Sequence, residues 1–113
     1  MIYDARSFVN ALANRVNNGG YENTKDYYKT SEIVFCDIEN IHVVRDSFQR
    51  VMDMIKEPTD LQSKNKWLIN FENTNWLQMI SKILKGSNNI VNSLRVRSSN
   101  VLIHCSDGWD RTA

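Results

Sequence analysis

The run that most limits what this chain can become is its last, Asn100-Val101-Leu102-Ile103-His104-Cys105-Ser106-Asp107-Gly108-Trp109-Asp110-Arg111-Thr112. Val101 to Ile103 is apolar, largely β-branched and too short for a helix, so it reads as a buried strand. The strand delivers His104 and Cys105 onto a tight loop containing Gly108, and Arg111 follows Cys105 by six positions. A thiol, five intervening residues and a guanidinium make a kit for attacking a phosphate ester. In such a loop successive backbone N–H groups turn inward as an anion-binding nest, and a helix that follows adds the positive end of its dipole. Arg clamps two phosphate oxygens at once, which Lys does less well. The same field favours thiolate, and thiols so placed titrate at roughly 3.5–7.5 instead of ~8.5. Cys105 is therefore expected to ionise near neutral pH and to form a phosphocysteine intermediate. The plain alternative is a buried Cys with a surface Arg. Cys and Arg at this spacing occur often by chance; strand, His-Cys, internal Gly and Arg-Thr in series do not.

Composition narrows the class without naming it. The chain has 113 residues, 42% of them hydrophobic and 24% charged, with a net charge of +1. That suits one small domain with a real core. The charge balance forces no face to be positive, so nucleic acid is not an expected partner. Cys36 and Cys105 make neither a disulfide framework nor a metal cluster, and no cofactor is implied. With no signal peptide and no long apolar span, the expected compartment is the reducing cytosol. Met1 leads straight into Ile2-Tyr3-Asp4-Ala5-Arg6, which reads as a strand already inside a domain, and Ala113 precedes the helix that the loop needs. The expectation is a partial phosphatase domain over residues 1–113, cut at both ends, with its phosphate-binding loop at 104–112.

Taken in order, residues 7–16 place Phe8, Val9, Leu12 and Val16 at helical spacing with Ser7 as N-cap, and Asn17 to Gly20 end that helix. Tyr21 to Thr30 reads as a surface loop. Ile33 to Cys36 is a second buried strand, with Cys36 as a small buried hydrophobe or, alternatively, a resolving partner for Cys105. Loops at the carboxyl ends of parallel strands face the ligand, which would bring Asn40 and Ile41 towards the Cys105 loop. His42 reads as structural. Val44, Phe48, Val51 and Ile55 mark a helix from near Val43, with Asp46 in its first turn and Pro58 as its stop. Residues 56–66, rich in lysine, read as an exposed insert. Thr74 or Asn75 caps a further helix with Trp76, Leu77, Ile80, Ile83 and Leu84 on a core face, resuming after Gly86 as one helix or two. The order is that of an α/β domain with a parallel sheet.

The run HCSDGWDRT resembles the active-site signature of the myotubularin family, phosphoinositide 3-phosphatases of the cysteine-dependent phosphatase superfamily. The resemblance extends to IYDAR near the start, NALAN at 10–14, GGYE at 19–22 and DIENIHVVRDS at 37–47. It implies a protein tyrosine phosphatase-like α/β domain, its central and mostly parallel sheet flanked by helices. Where the family usually has Pro after the DAR motif, this chain has Ser7.

On this reading Cys105 is the nucleophile and Arg111 the phosphate clamp, within a substrate loop of Ser106, Asp107, Gly108, Trp109 and Asp110. The resemblance adds Asn14, Asn40 and Ile41 to the substrate site, His104 as a support beneath the loop, and Asp110 as general acid. Thr112 can donate to the thiolate. No Trp-Pro-Asp tripeptide is present to supply an acid from elsewhere, since Trp67 and Trp76 are each followed by Leu. Asp107 is the alternative acid, or a reader of inositol hydroxyls, and Trp109 offers a flat apolar wall. The implied substrates are phosphatidylinositol 3-phosphate and the 3,5-bisphosphate, met at an endosomal-type membrane by a peripheral cytoplasmic enzyme. In the full-length protein, homo- or hetero-oligomers with family members would fit. The competing readings are a protein tyrosine or dual-specificity phosphatase, and a non-catalytic scaffold that binds an active relative.

Overall fold

The computed structural model describes residues 1–17, 19–56 and 64–113. In order, the elements are β1 (Ile2–Asp4), α1 (Phe8–Ala13), a 3-10 turn (Asn14–Asn17), β2 (Ile33–Phe35), α2 (Ile41–Lys56), α3 (Lys64–Asn73), α4 (Trp76–Arg95) and β3 (Leu102–His104). The three strands form one parallel sheet in the order β2-β1-β3. Its register sets Phe35, Asp4 and His104 side by side at the carboxyl end. Because all strands run the same way, the segments after Asp4, Phe35 and His104 leave the sheet at one end. That is where a ligand site of an α/β fold is built.

Local chemistry explains most boundaries. The Ser7 hydroxyl accepts from the Asn10 N–H and caps α1, as expected. Helix α2 starts at Ile41, two residues earlier than its apolar spacing suggests, because the Asn40 side-chain oxygen accepts from the N–H groups of His42 and Val43. Asp46 consequently lies beyond the first turn. The expected exposed insert at 56–66 is largely helical at its described margins, since Lys56 ends α2 and Lys64 to Lys66 open α3. Residues 57–63, with Pro58, lie outside the described residues. Helix α3 is not among the elements that the apolar spacing predicts, since its apolar residues, Trp67, Leu68, Ile69 and Phe71, are too few to mark a clear stripe. Between α3 and α4, Asn75 takes a left-handed conformation (φ 61°) without a side-chain cap, and Thr74 Oγ1 accepts from the Trp76 N–H at 3.3 Å. Helix α4 is continuous through Gly86.

Packing departs from the sequence pattern in an instructive way. The face that α4 turns inward carries Met79, Gly86 and Ser93, all buried. The expected core residues Leu77 and Leu84 are 60% and 64% exposed. Small residues win because α4 lies close over β1 and β2. The Tyr3 hydroxyl reaches Ser93 Oγ at 2.8 Å and donates to the Asn89 carbonyl at 3.0 Å, and a Cβ on Gly86 would stand 3.5 Å from Cys36 Sγ. Strand β3 falls one residue later than expected and is not buried: it is an outer strand, and Leu102 is 53% exposed. In α1, Ala11 points inward while Phe8, Val9 and Leu12 are exposed, as is Val16 in the 3-10 turn that follows. With overall extents of 59 × 36 × 20 Å, the described chain is too thin to enclose both faces of its helices.

On the β2 side, Tyr21 leaves the expected surface loop to pack edge-on with Phe35 and tilted against Phe8, at 5.4 and 5.6 Å between ring centres. Lys82 of α4 bridges Asp37 and Glu39 at 2.8 and 3.3 Å, pinning the turn that leads from β2 into α2.

Candidate active site

The carboxyl end of β1 is anchored by a buried ion pair two residues long. Asp4 is fully buried and Arg6 is 3% exposed. Arg6 Nε donates to both Asp4 oxygens at 2.9 and 3.1 Å, Nη2 donates to Oδ2 at 2.6 Å, and the Arg6 backbone N–H meets Oδ1 at 3.0 Å. The remaining reach of Nη2 goes to the Gly20 carbonyl at 2.7 Å. A guanidinium so placed ties β1 to the Gly19-Gly20 stretch and lies beside Cys105; its hydrogen bonds to Asp4 foremost, then the charges of Asp4, Cys105 and Glu22, raise its already high pKa against the cost of burial.

Around these groups opens a pocket of about 320 Å³. Arg6, Asn14, Gly19, Gly20 and Glu22 line one side of it, and His104, Cys105, Ser106 and Asp107 the other. Cys105 is buried at its floor. Gly108 turns the loop at φ 85°, a conformation costly for residues with a Cβ, and so aims its N–H at Cys105 Sγ, 3.2 Å away. Burial pushes the thiol up, but the Thr112 hydroxyl and the N–H groups of Gly108, Thr112 and Asp107 pull it down further, to about 7 against an ordinary 9.0. The Thr112 hydroxyl is buried and has no hydrogen-bond partner among the described residues, whereas the Gly108 N–H meets the sulfur directly. Cys36 is the opposite case. Half-buried at the end of β2, its thiol is raised by burial and by the charge of Asp4, which marks it as inert and not as a low-pKa partner for Cys105.

The tertiary structure gathers the sequence-derived residues from three separate segments. Asn14 Nδ2 donates to Ser106 Oγ at 3.2 Å, and Arg111 Nη2 lies 3.5 Å from the same oxygen. Arg111 Nε is buried without a partner among the described residues, a donor that could meet an anion at the loop. The Ile41 N–H, at the start of α2, donates to Asp110 Oδ2 at 3.2 Å. That bond docks the loop onto the helix N-terminus, where a carboxylate is favoured. Asn40 reaches the neighbourhood through this helix start, its side-chain oxygen already used in capping. His104 Nδ1 donates to the Cys105 carbonyl at 3.0 Å. Trp109 stands clear of the pocket, 82% exposed, and Asp107 lines it while exposed.

Two charged pocket residues escaped the sequence reading, Arg6 and Glu22. Both belong to segments of family resemblance, IYDAR and GGYE, yet nothing in their local pattern marks them as site residues. A charge two positions from its counter-charge at a strand end, as in Asp4-Ala5-Arg6, is the only available signal.

Residues 1–113 match the family model described as Myotubularin-like phosphatase domain. Myotubularin of Xenopus laevis is 45% identical over 112 residues, covering 99% of this chain and 18% of the relative. Phosphatidylinositol-3,5-bisphosphate 3-phosphatase MTMR2 of Mus musculus is 44% identical over 112 residues, covering 99% and 17%. Phosphatidylinositol-3,5-bisphosphate 3-phosphatase MTMR4 of Homo sapiens is 42% identical over 112 residues, covering 99% and 9%. The chain thus spans less than a fifth of the length of these curated relatives.

Proposed function

The chain belongs to the myotubularin-like phosphatase family, and from that premise we propose that it carries the catalytic loop of a phosphoinositide 3-phosphatase. The substrates are phosphatidylinositol 3-phosphate and phosphatidylinositol 3,5-bisphosphate, and the reaction runs through a phosphocysteine. The observation that carries the reading is Cys105, buried in the pocket with the Gly108 N–H 3.2 Å from its sulfur and Arg111 on the same loop.

Cys105 thiolate attacks phosphorus while Arg111 and the loop N–H groups hold the phosphate oxygens. The bond from phosphorus to the inositol oxygen breaks, and Asp110 supplies the proton that this oxygen takes up. Water then attacks the phosphocysteine, inorganic phosphate leaves, and Thr112 and the Gly108 N–H receive the thiolate. Preorganised donors of this kind are worth on the order of 10²–10³ in rate for a single one removed. Asn14, Asn40, Ile41 and Asp107 meet the inositol, and Ser106 links Asn14 to Arg111. Trp109, exposed beside the pocket, is placed to meet the lipid. The enzyme works as a peripheral cytoplasmic protein on endosomal-type membranes, in homo- or hetero-oligomers with relatives. The presence of both Cys105 and Arg111 favours an active enzyme over a scaffold.

The test is Cys105→Ser in the intact protein. Phosphate release from both lipids should vanish while lipid binding survives, because a serine alkoxide is not accessible at neutral pH. Substantial turnover by this variant would refute the covalent mechanism. Faster turnover of a phosphotyrosine peptide than of either lipid by the wild type would favour a protein phosphatase instead.

A further inference from the structure

Glu22 lies outside the Cys105 loop, in the stretch after Gly20, and no step above uses it. Its carboxylate nevertheless faces the loop from behind. Glu22 Oε2 and His104 Nε2 approach to 3.0 Å. The contact is off the line of a good hydrogen bond, and both atoms are buried with no other partner among the described residues. On the far side of the ring, Nδ1 lies 3.0 Å from the Cys105 carbonyl. A carbonyl only accepts, so Nδ1 donates to it, and Nε2 is the ring nitrogen that faces the Glu22 carboxylate. A carboxylate that sets the orientation of a histidine in this way also sets what the other ring nitrogen does.

We propose that Glu22 is a positioning residue for Cys105: through His104 it fixes the backbone of the loop that carries the nucleophile. The other charged groups facing this pair are Arg6, with Asp4 beside it, from the end of β1, and Cys105 and Asp107 of the loop. Arg6 is committed to Asp4 and to the Gly20 carbonyl, which leaves His104 as the partner that Glu22 contacts. The inference rests on Cys105 being the nucleophile proposed above, and it is independent of which phosphate ester is the substrate.

The sign of one measurement decides it. A carboxylate acting on the thiol directly would raise its pKa, so its removal would lower the pKa. Removal of a carboxylate that holds the loop through His104 lets the N–H donors drift from the sulfur and raises it instead. In the intact protein, the pH midpoint for alkylation of Cys105 by iodoacetamide, followed on the Cys105 peptide by mass spectrometry, should rise by about 1 unit in Glu22→Gln. Adding Glu22→Gln to His104→Asn should produce no further rise. Glu22→Asp, which keeps the charge on a shorter arm, should fall between wild type and Glu22→Gln, and it carries the test if Glu22→Gln does not fold. A midpoint that falls, or one that stays put while only the melting temperature drops, overturns the proposal. A full second shift on the His104→Asn background does so too. Alkylation needs no phosphate ester, so loss of the lipid-phosphatase reading would leave this result interpretable.

Discussion

Substituting Asp4 by Asn leaves the shape of the site almost unchanged and removes one charge from a place with no water. Asp4 is fully buried, and its two oxygens receive four bonds from Arg6 at 2.6 to 3.1 Å. In Asn one of those oxygens becomes an NH₂ that faces guanidinium donors. Arg6 then keeps its charge, 3% exposed, with one neutral acceptor and the Gly20 carbonyl as company. Breaking a buried pair by removing one partner costs about 3–5 kcal/mol, because the charge left behind is uncompensated. Against a total stability of about 5–15 kcal/mol that is a large fraction. The measurement is urea unfolding of the intact phosphatase domain, wild type against Asp4→Asn, with Asp4→Leu combined with Arg6→Met as the control. The double replacement should cost less than the single one, since it removes the stranded charge along with its partner. A loss below about 1 kcal/mol for Asp4→Asn, or a double variant worse than the single, would refute the claim that this pair anchors β1 to the loop carrying Gly20.

Two further outcomes follow from the loop. Asp110→Asn should slow a phosphoinositide by roughly 10²–10⁴ and a substrate with a good leaving group only weakly, because the latter needs little protonation. Equal slowing of both would make Asp110 a structural tie to the Ile41 N–H and move the acid role to Asp107. Lowering the Cys105 thiol from 9.0 to about 7 on folding means that the thiolate contributes stability fully present above pH 9 and lost as pH falls through about 7. The stability of wild type relative to Cys105→Ser should therefore rise between pH 7 and pH 9, and a flat difference would show that the loop donors do not favour the thiolate.

What the sequence determined by itself is local. The strand, the glycine and the spacing from Cys105 to Arg111 specify a loop chemistry that needs few neighbours to be recognised. The Ser7 cap is likewise written in adjacent residues, and resemblance pointed Asn14 and Ile41 towards the loop that they contact. Only the tertiary structure decided which groups meet. Asn14 reaches Ser106 across 92 positions and Ile41 reaches Asp110 across 69, contacts set by a parallel sheet whose three carboxyl ends open at one edge. It also decided which face of α4 turns inward. Hydrophobic spacing points to Leu77, Ile80 and Leu84, but close approach to Tyr3 and Cys36 selects Gly86 and Ser93, since a helix lies near a strand only where its side chains are small. Glu22 and Arg6 were illegible for the same reason. A charge declares its role only through its counter-charge, and the partner of Glu22 is a histidine that folding brings across from the far end of the chain.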